Sequence, residues 1–357
     1  MATPLPPFPD QGLRRVAHDA EDEHLPVWLR LMVRLAHARG GHVEVEAEHG
    51  YAGRLVAADG HSHFFKGTVF DINGAGAAAL ARDKDYAARF LAAAGLRVPH
   101  GLLVHAPRRR AALHLKNPGV AARLADTRAA ETFARAVGYP VFVKPNEGSE
   151  GEGVSRAGDP AALDAALDQL FTLHDRVLVQ RAEAGEDFRA IVLDGRVLAV
   201  FRRQPFRVTG DGKSPLSVLV ASAVAGLGGG GKGTRINADD PRILGHLAAS
   251  GRAPESVPAD GEEGELLPNA NLSTGGRAFD VTASVAPAFA GAASQAARAL
   301  GLRFAGVDLI ATGPDDPAPV VLEVNAGPGL SYFHRLGARE AETVERIYEG
   351  LVDALLS

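Results

Sequence analysis

Apolar residues recur along this chain in two rhythms. In residues 83–95 (DKDYAARFLAAAG) they fall three and four positions apart, the spacing of one helix face, with Asp83 placed to cap and Gly95 to terminate. Residues 26–39 repeat the rhythm through Val27, Leu31 and Leu35, with Arg34 beside them, and so do residues 131–138, 161–173, 241–250, 287–300 and 338–356. The helix at 287 opens on a proline and stops at Gly301, the asymmetry expected of helix ends. The second rhythm has the period of a strand. It marks residues 43–47, 51–57, 97–104, 141–144, 177–180, 187–193, 196–206, 304–311 and 320–325. Asp194-Gly195 is a hairpin turn between two of these strands, and GPDDPAP separates the last two. Strands and helices mix without regular alternation and without a repeat, which predicts an α+β (mixed α/β) fold rather than a barrel. The proline-rich first ten residues read as loosely attached, and residues 226–233 (GLGGGGKG) as a flexible loop inside a folded lobe.

Composition narrows the function classes. Of 357 residues, 46% are hydrophobic, enough for a large core, and a net charge of −5 gives no reason to expect nucleic acid or an anionic membrane as partner. The run Arg108-Arg109-Arg110 is too short to change that and reads as a solvated loop. There is no cysteine, so disulfides, thiolate metal sites and a cysteine nucleophile are excluded. His42, His49, His61 and His63 read as scattered loop side chains rather than a metal site. The N-terminal residues MATPLPPFPDQGLRR hold no apolar core of signal-peptide length and no later stretch has about 18 uninterrupted apolar residues, so the expected location is cytoplasmic.

Three stretches carry chemistry. The strand VVLEVNAGPGL (residues 320–330) interrupts its apolar run with Glu323 and Asn325. Alternation puts these two on one face and leaves Leu322 and Val324 to anchor the other. The preceding strand, AGVDLI, carries Asp308; if the strands pair, three oxygen ligands converge. Hard oxygen donors of this kind suit Mg²⁺, which is usually bound together with substrate phosphates; capping a turn is the other use of such residues. In FVKPNEGSEGEGVS (142–155) a strand delivers Lys144 into a glycine-rich turn whose backbone N–H groups could wrap a phosphate, though a surface hairpin would look similar. It is neither a Walker A loop nor a dinucleotide fingerprint. In VLVQRAEAGEDFR (177–189) a strand ends at Gln180, and Glu183, Glu186 and Asp187 follow. That pattern fits an adenine slot followed by a ribose acceptor, or a solvated acidic turn.

In this order, DK, FLAAAGLRVP, VFVKPNEGSEGEGV, VLVQR, GEDFR, GVDLI and LEVNAGPG resemble the ATP-grasp superfamily. TGDGKSPLSVLV, SVPADGE, NLSTGGRAFDVT and EVNAGPG are similar to the ATP-grasp module of cyanophycin synthetase, and the ligase module of bifunctional glutathione synthetase is a second relative. The resemblance runs over about residues 65–336. It implies a short N-terminal domain (1–82), an ATP-grasp N-lobe (83–182) and a C-lobe (183–357), with ATP clasped between the lobes. The implied activity is an ATP- and Mg²⁺-dependent carboxylate–amine ligase, with Mn²⁺ able to stand in for Mg²⁺. A small carboxylate would be activated as an acylphosphate and captured by an amine.

By motif match, Lys84 and Lys144 would contact phosphates, and the loop from Ser149 through Gly151 to Gly153 would close over them. Gln180 and the backbone to Ala182 would meet adenine, and Asp187 the ribose; a glutamate is usual where Gln180 stands. Asp308, Glu323 and Asn325 match the metal ligands. Arg189 and Arg203 would steady the γ-phosphate or acylphosphate, unless they form surface salt bridges. Asn271, Ser273, Thr274, Gly275 and Gly276 would form the acceptor-side loop. Related modules carry a basic pair shortly before that loop; Leu267 and Pro268 stand there instead, which argues against cyanophycin itself. Such enzymes often associate, so the resemblance allows a homodimer without fixing the oligomeric state. The rival readings are an enzyme that modifies a peptide or protein, and a nucleotide-binding protein without catalysis.

Overall fold

The computed structural model describes residues 12–17, 25–148, 151–227, 236–267 and 269–356. The expectations for the first ten residues, Ser149, residues 228–233 and Pro268 fall outside the described residues. Strands β1 (Leu13–Arg15), β2 (His42–Glu46), β3 (Ala52–Val56), β4 (Ser62–Lys66) and β5 (Val69–Phe70) pair in sequence order as an antiparallel sheet. Helix α1 (Val27–Ala38) packs on it through a face from Trp28 to Ala36, meeting Val43, Val45, Leu55 and Phe65. His42, His49, His61 and His63 each lie beside an acid, namely Glu44, Glu48, Asp59 and Asp71.

Two helices lead out of this sheet, α2 (Ala75–Arg82) and α3 (Lys84–Ala93). Asp83 caps α3 by accepting the Tyr86 N–H at 3.1 Å, as its position in the sequence predicts. The next strand, β6 (Gly101–His105), starts later than expected, because Pro99 has no N–H to offer a ladder. Arg108, Arg109 and Arg110 are not in a loop but in α4 (Pro107–Lys116). There Arg108 pairs with Asp175 and Arg110 with Asp126. Proline at the first turn followed by good helix formers accounts for the helix; none of its residues is buried, so no apolar stripe announced it.

After α5 (Pro118–Ala121) and α6 (Thr127–Val137) come β7 (Val141–Pro145), β8 (Ser155–Ala157), α7 (Pro160–Phe171) and β9 (Arg176–Arg181). They build a four-stranded sheet in the order β6-β9-β7-β8. Val141, Val143, Val177 and Val179 face α6 and α7, so alternation turns Phe142, Lys144 and Gln180 to the opposite side.

The second large sheet begins with β10 (Glu186–Leu193) and β11 (Arg196–Gln204). A small unit interrupts it, made of β12 (Arg207–Thr209), α8 (Leu216–Leu227), α9 (Pro241–Ala249) and β13 (Glu263–Glu265). This unit has its own core of Phe206, Val208, Leu216, Ile243, Leu247 and Leu266. Gly226, expected in a flexible loop, belongs to the last turn of α8. Beyond the unit lie β14 (Arg277–Asp280), α10 (Pro287–Ala299), β15 (Phe304–Ala311), β16 (Val320–Asn325), α11 (Ser331–His334) and α12 (Ala338–Leu356). The sheet order is β14-β11-β10-β15-β16, all antiparallel, and the β10–β11 turn holds Asp194 and Gly195 at φ 48° and 75°.

One face of this sheet (Phe188, Ala190, Val307, Leu309, Val321, Val324) buries α10, α2 and α3. The other face changes character along the strands. Ile191, Leu193, Ala199 and Phe201 pack with α12 and the N-terminal sheet, while further along Asp187, Arg203 and Asp308 turn to a cavity, with half-buried Arg189 behind its lining. Buried Asn73 ties the parts together: it donates to the Phe304 and Ala326 carbonyls and accepts from the Arg303 and Phe304 N–H groups. No helix among the described residues is long and apolar enough to cross a membrane.

Candidate active site

A cavity of about 410 Å³ opens between the four-stranded sheet and the second large sheet. The first sheet contributes Phe142, Lys144 and Gln180, and the second Asp187, Arg203, Asp308, Ile310, Leu322 and Glu323. The chain crosses between the sheets at residues 182–185, and the crossing needs Gly185: at φ 143°, a Cβ there would lie 2.6 Å from the Ala311 carbonyl.

Lys84 starts α3, and Asp83 fixes that start by capping the helix and bonding Arg176 at 2.7 Å. The Lys84 Nζ donates to the Gly148 carbonyl at 2.9 Å and lies 3.6 Å from Glu323 Oε1. Lys144 is the more perturbed cation. Burial lowers its pKa to about 8, Lys84 pushing it further down and Glu323 and Asp308 pulling it back.

Register builds the acidic side. Asp308 faces Glu323 across β15 and β16 and Arg189 across β15 and β10. Arg189 grips both Asp308 oxygens, Nε to Oδ1 and Nη2 to Oδ2, each at 2.7 Å. Arg203 donates from Nε to Asp187 Oδ1 at 2.7 Å and reaches Asp308 Oδ1 at 3.2 Å through Nη2. Burial works against the Asp308 charge, but the two guanidiniums outweigh it and hold the carboxyl below the usual range. Burial pushes the Asp187 carboxyl up despite Arg203, with the Asp308 charge adding to the rise. Arg203, 8% exposed, is not in a surface salt bridge, and half-buried Arg189 pairs with a buried carboxylate.

One expectation for β16 is overturned. Asp308 opposes Glu323 but Leu309 opposes Val321, so a bulge leaves Leu322 unpaired. Leu322 therefore joins Glu323 on the cavity side, while Val321 and Val324 hold the core. Asn325 stays opposite Gly306, beyond the cavity wall, and Arg189 runs beside that glycine. The cavity thus receives two of the three expected oxygen ligands, Asp308 and Glu323. That pair fits a divalent cation that completes its shell with phosphate and water, the usual arrangement for Mg²⁺. Among the described residues, no three His, Cys, Asp or Glu side chains group to hold a metal.

Of the other expected residues, Gly151 and Asn271 line the cavity together. Gly151 has φ 73°, and a Cβ on it would sit 2.6 Å from Asn271 Nδ2 and 2.8 Å from Asn269 Nδ2. Gly153, Ala182, Ser273, Thr274, Gly275 and Gly276 lie outside the lining. Ser273 and Thr274 are buried, and Gly276 is walled in by the Ala270, Asn271 and Gln204 carbonyls, so these residues shape the loop behind Asn271. Leu267 is 1% exposed in the core of the small unit, closed to any substrate. Sequence reasoning did not single out Arg207, Glu265 and Asn269, which also line the cavity. They belong to the small unit and the segment after it, where only pairing between β12 and β13 brings distant residues together.

The D-Ala-D-Ala ligase C-terminus family matches residues 120–210, the span holding Lys144, Gln180, Asp187, Arg189 and Arg203. The chain is 30% identical over 312 residues to cyanophycin synthetase of Trichormus variabilis, covering 81% of this chain and 30% of the relative. It is 31% identical over 215 residues to the glutathione biosynthesis bifunctional protein GshAB of Streptococcus agalactiae serotype V, covering 57% of this chain and 28% of that one. The chain thus spans less than a third of the length of these curated relatives. Among solved structures, a bifunctional glutathione synthetase from Pasteurella multocida superposes with a TM-score of 0.55 at 21% identity, over 91% of this chain and 44% of that chain. Residues 120–210 thus match the D-Ala-D-Ala ligase C-terminus family, and the chain has the ATP-grasp fold.

Proposed function

We propose that the chain is an ATP-dependent carboxylate–amine ligase, forming an amide or peptide bond between small amino-acid-type substrates. The observation that carries this reading is the convergence of Lys84, Lys144, Asp308 and Glu323, from four separate elements, on one cavity between two antiparallel sheets. Phosphoryl transfer asks for this kind of site, since it depends on positioning and charge neutralisation and needs no nucleophilic side chain. The relatives' printed names, cyanophycin synthetase and glutathione biosynthesis protein, support the same class of product.

In this reading the apolar walls Phe142, Val154, Ile310 and Leu322 take the purine, and the Gln180 carboxamide meets its amino group. Asp187 takes the ribose, and Lys84, Lys144 and the Gly151 loop take the phosphates. Asp308 and Glu323 hold Mg²⁺, or Mn²⁺ in its place, which would spread the phosphate charge. A substrate carboxylate attacks the γ-phosphorus and releases ADP; an amine then adds to the acylphosphate carbonyl and phosphate leaves. Asn271, with Asn269 beside it, faces the cavity from the acceptor side. The test is ADP release with Mg²⁺-ATP across paired pools of carboxylates and amines, followed by mass analysis of products. ADP release that needs both a carboxylate and an amine is expected. Tight ATP binding without turnover in every pool would sink the ligase reading.

A further inference from the structure

Arg189 stands out within the charged cluster. Among the described residues its side-chain hydrogen bonds go to Asp308 alone, and they engage both carboxylate oxygens. Arg203 differs, because Asp187 also holds it in place. With the Arg203 contact added, two guanidiniums cover the carboxylate that faces the cavity beside Glu323. We infer that Arg189 is a positioning residue that withholds Asp308 from a bare divalent cation and releases it only when a polyphosphate enters the cavity. This rests on the nucleotide reading proposed above.

The physical argument is charge exchange. A cation arriving alone must break a bidentate, charge-assisted pair and then sit beside two positive side chains. A nucleotide triphosphate with its cation carries net negative charge. Two of its phosphate oxygens give the planar Arg189 fork another bidentate anionic partner to turn to, which frees Asp308. The Arg189 stem runs past Gly306, opposite Asn325, where a Cβ would lie 2.9 Å from Pro328 Cβ and at ordinary contact distance, 3.8 Å, from Arg189 Cδ and Nε. Cation and nucleotide therefore bind as one complex, and the protein without nucleotide ignores free divalent ions.

The experiment measures Mn²⁺ binding without nucleotide, by calorimetry and by the loss of free-ion electron paramagnetic resonance signal. It uses wild type, Arg189→Gln, Arg189→Lys and the double variant Arg189→Gln/Asp308→Asn. Arg189→Gln should bind Mn²⁺ roughly tenfold or more tighter than wild type, because a fixed positive charge is gone. Arg189→Lys should gain less, since an ammonium cannot fork both oxygens, and the double variant should lose the gain. Folded Arg189→Gln with Mn²⁺ affinity within about twofold of wild type overturns the inference, as does a gain that survives Asp308→Asn. If Arg189→Gln does not fold, Arg189→Lys decides by the same criterion. Mg²⁺-ATP binding by wild type separates the two layers. Wild type that binds it while the variants gain nothing removes this inference alone; wild type that does not bind it removes the nucleotide reading as well.

Discussion

Lys144 is a cation kept where a cation is costly. Its pKa of about 8, set first by burial, means that in the nucleotide-free protein a fraction is already neutral near physiological pH. Phosphate oxygens beside it would raise that value, so nucleotide binding should take up a proton at pH 8 and above. We expect ATP affinity to weaken as pH climbs through 8, and Lys144→Met to bind weakly with a flatter pH profile; calorimetry in buffers of different ionisation enthalpy reads the proton count. Fold stability should move the other way. The folded pKa lies below the unfolded value of 10.5, so between about 8 and 10.5 the unfolded chain holds more protons and this lysine's contribution to stability rises with pH. Lys144, Asp308 and Glu323 were legible in the sequence because each is a charged residue inside an apolar strand. Leu322 and the Arg189–Asp308 pair were not. A bulge and a cross-strand register belong to the partner strand, and one strand's sequence does not state them.

At the scale of elements, the glycine-rich loop is where geometry is tightest. Gly151 combines a left-handed backbone with side-chain amides from the other lobe closer than a Cβ allows. Gly151→Ala should therefore raise the KM for ATP by roughly tenfold, the equivalent of the ~1–2 kcal/mol that a left-handed residue costs. The melting temperature should barely move, because the loop buries no core. Steady-state kinetics and a thermal melt check both; an unchanged KM would show that the loop does not work in this conformation. Legibility at this scale followed burial. Helix α3 was readable from its cap and apolar stripe, yet its attachment to the second sheet through Ala87 and Leu91 was not. Helix α4 went unread because it has no buried face.

For the whole molecule, the N-terminal sheet is part of the site's foundation. Its core is continuous with α12 and with one end of the second sheet, and Asn73 fastens the join with four hydrogen bonds. Asn73→Ala should cost ~2–4 kcal/mol, because several buried backbone groups lose partners at once. Hydrogen exchange should show protection lost in β15 and in the residues around Ala326 as well as near residue 73. A loss confined to the N-terminal sheet would mean that the two parts open independently. The cavity between the two sheets was legible because the motifs come in a fixed order. The shared core was not, because it joins the first and last elements of the chain.

The small unit between β11 and β14 is tied down differently. Its own core is closed, and the chain enters and leaves it at a single paired point, where Leu266 N–H donates to the Phe206 carbonyl at 2.8 Å and Arg207 faces Glu265. A segment anchored at two adjacent ends can be exchanged without redrawing the sheet beneath it. Evolution, or a designer building chimeras, can therefore replace Arg207, Glu265 and their neighbours as one cassette. Lys84, Lys144, Asp308 and Glu323 lie on other elements and would stay in place. The groups that reach the cavity from the small unit can then drift quickly while those on the two sheets and α3 stay fixed.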